Sequence, residues 1–600
     1  MTPAKSQTLI DRTIFLSLIF LTIGLPLIKS SRVAIFTVVV SLLVLAWLVL
    51  NRNKSLLLDG KFMLILVFLA LATLATAFSI SRTTSAFGVY HREGLLTYLV
   101  LALTYLLAIQ VEWDKKKIKV ILSVTVYVAA FISTLAIYRY GYRLLTIEQM
   151  TYLDRARTLV GPNVLSFYLT LVWPLALRLF LFDDTSRREK IVFGFSSLVI
   201  LGANILTFTR TGWAISAIIF VLMVVMSNRK KQIMKIAAML AVVVLLAGIF
   251  TGTQKSRDIN FNERFMSIFK IDALAPRTVL WKPAVKMIRD KPLMGYGPKT
   301  YPLALRQQDS VTLAQFQGKP KTPHNYLLNI ALTLGIPALV VMMFIFVLGI
   351  AQGFASRDYF KQTLSLSIIA MLLSGLFLEW PVFLMFPLWL FLAINTGKKF
   401  PMSANVWLKG GLAVLVLGLI AVTGLQWTAE NYYQKSRTAS RKIVQTDYLN
   451  RAIDLNPYMY LYWRDYVQLN ADRSPEKRIE IIKQAQSYHP LREEPVIAEA
   501  LVRWRNRNNV KPEGVLELVD QGIALRPFNA KSHYVKGRIL FRKKQFLEAA
   551  EEFRLSMLVD PRHAEVYTAL IFRAREANER RERNILDKQL KWVRDESPES

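Results

Sequence analysis

Thirteen apolar runs punctuate this chain of 600 residues, and each approaches the roughly 17 to 25 residues that a bilayer-spanning helix needs. They fall near residues 14–28, 33–50, 61–80, 94–110, 118–138, 163–182, 191–207, 211–226, 233–251, 323–352, 363–378, 381–396 and 406–427. A backbone surrounded by lipid must satisfy its own hydrogen bonds, and runs of this length do so as helices. The pattern predicts an all-α, polytopic membrane bundle of about thirteen transmembrane helices. The first run lacks a small-residue cleavage site and leads into the second, so it is expected to be a retained helix.

Basic residues set the expected orientation. Arg52 and Lys54, Lys115 to Lys119, Arg187 to Lys190, Arg229 to Lys235, Arg357 and Lys361, and Lys398 and Lys399 all follow even-numbered runs. The positive-inside rule places those loops, and the N-terminus, in the cytoplasm. Residues 1–251 then hold transmembrane helices 1 to 9, and 252–322 form a long extracytoplasmic loop. Residues 323–428 hold helices 10 to 13, and 429–600 form an extracytoplasmic domain.

The net charge of +34 comes from 76 basic and 42 acidic residues. Most of the excess is spread around the membrane loops, which suits anionic headgroups and a phosphorylated lipid better than nucleic acid. No nucleic-acid partner is expected. The chain has no cysteine, which excludes disulfides, thiol catalysis and thiolate-bound metals.

The last quarter repeats itself at Ala452 to Pro457, Ala485 to Pro490, Gly522 to Pro527 and Ser556 to Pro561, with prolines 33, 37 and 34 residues apart. A small residue five positions before each proline suits two helices that cross closely before proline ends the second. The segment resembles tetratricopeptide repeats, most clearly at Asn529, Ala530, Tyr534, Gly537, Phe546, Ala549, Ala550 and Phe553. The resemblance implies an extracytoplasmic α-solenoid with a surface for a partner. Tyr458, Tyr460, Tyr462 and Trp463 fit either helix packing or a sugar-stacking face, and 573–594 reads as a solvated capping helix.

Charges are rare inside the apolar runs, where each is costly, and a proton- or ion-coupled transporter would usually carry midplane carboxylates. The ionisable groups gather instead in the loops expected outside. Arg210 sits in the turn Thr207 to Gly212, Arg277 four residues before Trp281, and Arg139, Arg143, Arg155 and Arg157 ahead of Gly161 to Asn163. Guanidinium groups match phosphate oxygens, so their convergence would suit a diphosphate. His324 is the sharpest candidate. With Thr322 as N-cap and Pro323 in the first helical position, it would fall in the first helical turn, kept neutral by the helix end and by arginines. By spacing alone, Arg210 equally fits a snorkelling residue, Arg277 a surface residue and His324 a cap or packing residue. Glu379, near the same membrane face, is a reserve base. No ligand spacing suggests a metal or a cofactor.

Taken in order, Gly161 to Asn163, Thr209 to Gly212, Arg277 to Trp281, Lys291 to Gly297 and His324 to Leu327 resemble the O-antigen ligase superfamily over roughly residues 10 to 400. That superfamily comprises O-antigen ligases, O-antigen polymerases and bacterial protein O-oligosaccharyltransferases. The resemblance implies a metal-independent glycosyltransferase of the bacterial cytoplasmic membrane that uses an undecaprenyl-diphosphate glycan. It implies that Arg210 and Arg277 contact the donor diphosphate and that His324 activates the acceptor hydroxyl. Arg157, Asn163 and Asn325 are further substrate-binding candidates. The thirteenth helix and external repeats depart from the common ligase pattern, which leaves a glycan, lipid or protein acceptor open. A polysaccharide polymerase is the alternative, and a lipid or glycan transporter or a non-catalytic scaffold the rival from another class.

Overall fold

Twelve of the thirteen apolar runs fall on described helices. The structure is a computed structural model that describes residues 3–28, 32–50, 55–88, 94–147, 154–181, 186–226, 275–308, 321–403, 405–506, 512–560 and 563–596, with isolated positions between 237 and 245. The ninth run, 233–251, lies almost wholly outside the described residues. Seven described helices are long and apolar enough to cross a membrane, and three shorter ones, Leu95–Gln110, Arg210–Val225 and Val382–Ile394, are strongly apolar. The chain is a multi-pass membrane protein followed by a helical array.

It divides into two compact units, 1–299 with 322–427, and 300–321 with 428–600. The loop set apart in sequence at 252–322 therefore does not stay together, because the division passes through it after Lys299. Its described part holds two helices, Ala275–Asp290 and Tyr301–Gln308, with turns over 291–300.

In the membrane unit the chain runs α1 (Pro3–Leu27), α2 (Arg32–Leu50), β1 (Leu56–Leu58), α3 (Gly60–Ala77), α4 (Arg82–Phe87), α5 (Leu95–Gln110), α6 (Lys115–Thr146), α7 (Pro162–Leu181), α8 (Arg187–Leu206), α9 (Arg210–Val225) and α10 (Ala275–Asp290). The helix α11 (Tyr301–Gln308) belongs to the second unit. The bundle resumes with α12 (Tyr326–Leu334), α13 (Ile336–Ala355), α14 (Tyr359–Gly375), α15 (Val382–Ile394), β2 (Phe400–Met402) and α16 (Val406–Thr438). The run at 323–352 is thus two helices, broken at Gly335. Helices α5, α7 and α15 are the buried centre, lined by side chains such as Tyr105, Trp173 and Phe391. Leu16, Phe20, Val225 and Trp407 are exposed, as lipid-facing side chains are.

One end of the bundle is basic and internally tied. Lys117 pairs with Asp11, Lys119 with Glu189 at 3.0 Å, and Lys399 donates to the carbonyl of Ile109 at 2.6 Å. Strands β1 and β2 pair antiparallel there, with Leu57 opposite Pro401. Between them lies a buried charge network unforeseen from sequence. Asp59 caps α3 by accepting from the Phe62 amide at 2.9 Å, and it also accepts from the Tyr105 hydroxyl at 2.7 Å and from Thr396. Lys61, fully buried, lies 3.5 Å from Asp59 and donates to the Asn395 carbonyl at 2.9 Å and to Gln352. A buried pair withstands desolvation only when its remaining donors and acceptors are satisfied, and here they join the ends of α3, α5, α13 and α15.

In the second unit, α17 (Lys442–Leu455), α18 (Tyr460–Leu469), α19 (Pro475–Tyr488), α20 (Glu493–Arg505), α21 (Pro512–Leu525), α22 (Ala530–Arg542), α23 (Phe546–Val559) and α24 (Ala564–Glu596) pack each against the next. Helices α17, α19 and α21 end just before Pro457, Pro490 and Pro527, where proline cannot continue a helix. The small residues five positions earlier are buried, Ala452, Ala485 and Ser556 among them. Two of the four clustered aromatics are packing: Tyr462 and Trp463 are buried, Tyr462 lies 4.8 Å from the Tyr433 ring, and Trp463 stacks on Tyr488, while Tyr458 is exposed. Arg492 lies over Tyr460 at 4.1 Å. The same unit takes in α11, whose Arg306 pairs with Glu493 at 3.3 Å and Glu494 at 3.5 Å, while Arg526 holds Glu493 at 2.8 Å.

Candidate active site

The Lys291 to Gly297 motif works as a splint for the broken helix. Gly335 (φ +91°) joins α12 to α13, and a Cβ there would sit 2.0 Å from the Leu293 carbonyl oxygen. Gly295 (φ +62°) has the same need, since its Cβ would lie 2.5 Å from the Leu332 carbonyl oxygen. Both conformations are cheap only for glycine. The close approach lets the amides of Tyr296 and Gly297 donate to the carbonyls of Leu332 and Thr333 at 3.0 and 2.8 Å, and Ile336 donate to Pro292 at 2.8 Å. These bonds engage the carbonyls that the end of α12 exposes. On the other side, the hydroxyls of Ser79 and Ser85 donate to the carbonyls of Tyr296 and Pro298 at 3.0 and 3.1 Å.

His324 lies just ahead of α12. The expected cap is displaced: Asn325, not Thr322, caps the helix by accepting from the Leu328 amide at 3.0 Å, and the helix starts at Tyr326. Asparagine caps at least as well as threonine, and the left-handed backbone of His324 (φ +52°) cannot belong to a first turn. Thr322 instead accepts from the His324 amide at 3.3 Å, which closes a turn around Pro323. His324 is exposed to solvent, yet desolvation by the protein around its ring lowers its pKa from the usual value, and the nearby Arg277 guanidinium pushes it the same way. His324 is therefore a neutral ring, able to accept a proton.

Arg277 and Trp281 stand one turn apart on α10, on one face. Trp281 donates its indole N–H to the Pro323 carbonyl at 3.1 Å, which fastens α10 to the His324 turn. The Arg277 guanidinium lies 5.2 Å from the Phe377 ring centroid. The 376–381 segment is pinned in turn by Trp380, which is buried, stacks on Tyr326 at 3.9 Å and donates to Ser374 at 3.1 Å. Glu379 is ion-paired with Lys299 and accepts from Asn329 at 3.2 Å. Sequence inspection missed Lys299 and Asn329, and only their position beside Glu379 marks them.

A second group forms where α7 and α9 begin. The Asn163 side-chain oxygen accepts from Arg155 and from the Thr209 hydroxyl, both at 3.3 Å, and Arg155 also donates to the Thr207 carbonyl at 3.3 Å. Thr209 is the N-cap residue of α9, so this lattice fixes the helix start that bears Arg210. Arg155, Arg157, Arg139 and Arg143 line a half-open groove of about 570 Å³.

The two groups share an end of the bundle. Arg178, near the end of α7, lies 4.5 Å over the ring of Tyr359, which starts α14, so the two helices run oppositely. The end of α14, with Phe377, then meets the beginning of α7, and Tyr168 indeed lies 6.0 Å from Phe383. Helix α9 packs on both α7 and α14. This end is opposite the basic one, where Lys61 and Lys399 lie. The structure thus brings His324 within electrostatic reach of Arg277, and links Arg210 to Asn163 through Thr209 on a neighbouring helix start. Among the described residues no three histidine, aspartate or glutamate side chains come close enough to hold a metal ion.

Residues 195–343 match the family described as O-antigen ligase. The match includes Arg210, Arg277, Gly295, His324, Asn325 and the Gly335 break, and stops short of Arg157, Asn163 and Glu379. None of the curated proteins matches the chain. Solved structures that match include the MamA protein, 16% identical over 29% of this chain and 98% of that one, with a TM-score of 0.23. Another is the APC/C hetero-tetramer Cut9–Hcn1, 10% identical over 91% of this chain and 85% of that one, with a TM-score of 0.22.

Proposed function

We propose that the protein is a metal-independent membrane glycosyltransferase. It transfers a glycan from an undecaprenyl-diphosphate donor to an acceptor hydroxyl on the outer side of the bacterial cytoplasmic membrane, as a glycan ligase or protein O-oligosaccharyltransferase. The single observation that carries this reading is His324, exposed just ahead of α12 with its pKa lowered by desolvation and by the nearby Arg277 guanidinium, within the segment that matches the O-antigen ligase family. The segregation of Lys117, Lys119, Lys61 and Lys399 to the other end supports a cytoplasmic basic face, with both termini oriented as the loop charges imply.

In the proposed reaction His324 takes the proton of the acceptor hydroxyl, and that oxygen attacks the anomeric carbon. The bond from this carbon to the diphosphate oxygen breaks, and the electron pair leaves with the diphosphate. Arg277 and Arg210 neutralise the departing charge, with Arg157, Asn163 and Asn325 placed around the donor. A leaving group stabilised this way needs no separate acid, and attack from the opposite side inverts the linkage. Glu379, committed to Lys299 and Asn329, holds the site in shape and is the weaker candidate for a base.

Purified protein given a lipid-linked glycan and candidate acceptors is expected to release the lipid diphosphate and form a new glycosidic bond. His324→Ala and Arg277→Ala should each lower the rate about 100-fold or more. Acceptor-independent lengthening of the lipid-linked glycan would instead identify a polymerase. Unchanged glycan transfer by His324→Ala would overturn the catalytic assignment.

A further inference from the structure

We infer that the groove beside the end of α6 is a binding site for a phosphate-bearing lipid seated on Arg139 and Arg143, beyond the Arg157 side chain that the proposed donor site also uses. The inference does not rest on the transferase reading. Helix α6 has 32 residues, about 48 Å at about 1.5 Å per residue, against a hydrocarbon core of about 30 Å. Its first turns are tied at the basic end by Lys117 to Asp11 and Lys119 to Glu189, so the surplus length lies at the other end, from about Tyr138 onward. The groove opens at that level, where lipid head groups lie.

The lining suits such a ligand at both its head and its chains. Tyr138, Arg139, Tyr142 and Arg143 come from α6, and Arg155 and Arg157 from the segment that faces it. No carboxylate lines the groove among the described residues, and the adjoining Asp154 is bonded to Arg143 at 3.2 Å. Four guanidinium groups around one space repel each other, and a bound phosphate relieves that repulsion. Along α6, Tyr127, Phe131, Tyr138, Tyr142 and Leu145 are all exposed, at helical spacings of three, four and seven that put them on one face. This apolar stripe leads into the basic groove, giving a lipid chain its track and the head group its seat.

The test is native mass spectrometry of the full-length chain in detergent, titrated with phosphatidylglycerol, with uncharged diacylglycerol of the same chains, and with soluble glycerol phosphate. One phosphatidylglycerol is expected to bind in preference to diacylglycerol, and glycerol phosphate at equal concentration should not displace it. Each basic residue at a lipid surface contributes about fivefold in affinity, so losing two should weaken binding about thirtyfold or more in an Arg139→Glu, Arg143→Glu double variant. Arg139→Lys with Arg143→Lys keeps the charge and should stay within a few fold, which guards against loss through misfolding. Arg187→Glu with Arg188→Glu, at the basic end, should leave this lipid bound. Equal binding of diacylglycerol, equal competition by glycerol phosphate, or retention of the lipid by the Arg139 and Arg143 reversal would overturn the inference. Transfer activity is not the readout, so failure here and failure of the glycosyltransferase reading are distinguishable.

Discussion

Trp281 donates its indole N–H to the carbonyl of Pro323 at 3.1 Å, and this bond joins the helix that bears Arg277 to the turn that bears His324. His324 and Arg277 are thus held near one another, although 46 residues lie between them in the chain. Trp281→Phe removes the donor and keeps most of the ring. Losing one such bond costs about 1 kcal/mol, so amide exchange at Asn325 to Leu328 should quicken about fivefold, while exchange in α3 is unchanged. Equal protection in both proteins would mean that the turn is held by other contacts.

The neutral state of His324 predicts a pH profile. Desolvation and Arg277 both depress its pKa, so the proton-accepting form persists below the ordinary histidine value, and transfer should fall only as pH drops further into the acid range. Arg277→Gln removes one depressing charge and should move the acid limb to higher pH, in addition to lowering the rate about 100-fold. Arg277→Lys keeps the charge and should leave the limb near its original position. A limb that stays put in Arg277→Gln would detach the two groups electrostatically.

The splint around Gly335 predicts an asymmetric response to small substitutions. Gly335→Ala forces a left-handed alanine against the Leu293 carbonyl and should cost at least about 2 kcal/mol. Gly410→Ala, where a Cβ meets nothing within 4 Å inside α16, should be neutral or stabilising by about 0.5–1 kcal/mol. Thermal unfolding in detergent separates the two, and equal melting temperatures would remove the case for strain at the helix break.

The buried network at the basic end predicts a rescue. Lys61→Met strands Asp59 in the interior and should destabilise by about 3 kcal/mol, whereas Asp59→Asn with Lys61→Met should recover a good part of that loss. Lys117→Met, which breaks the more exposed pair with Asp11, should cost about 1 kcal/mol or less. A double variant as unstable as Lys61→Met alone would place the value of this network in Tyr105, Gln352 and Asn395 rather than in the ion pair.

Period and composition were enough to read the membrane helices and the repeat array, because hydrophobic length and proline spacing are local properties. Of the two causes that lower the basicity of His324, the neighbouring arginine was legible in sequence and the larger one, desolvation, was not. What period and composition could not supply was the division of labour within the motifs. Thr322 and Asn325 are both good caps, and only the left-handed backbone at His324 selects the second. The glycines of the Lys291 to Gly297 motif shape a turn, but the carbonyls they approach lie some 40 residues away on α12. Lys61, Asp59 and Asn395 look unremarkable one by one, as do Lys299 and Glu379, since pairing across the chain is decided by which helix ends meet. Local periodicity therefore determined the elements, while tertiary packing decided which polar groups are buried together and so which of them carry chemistry.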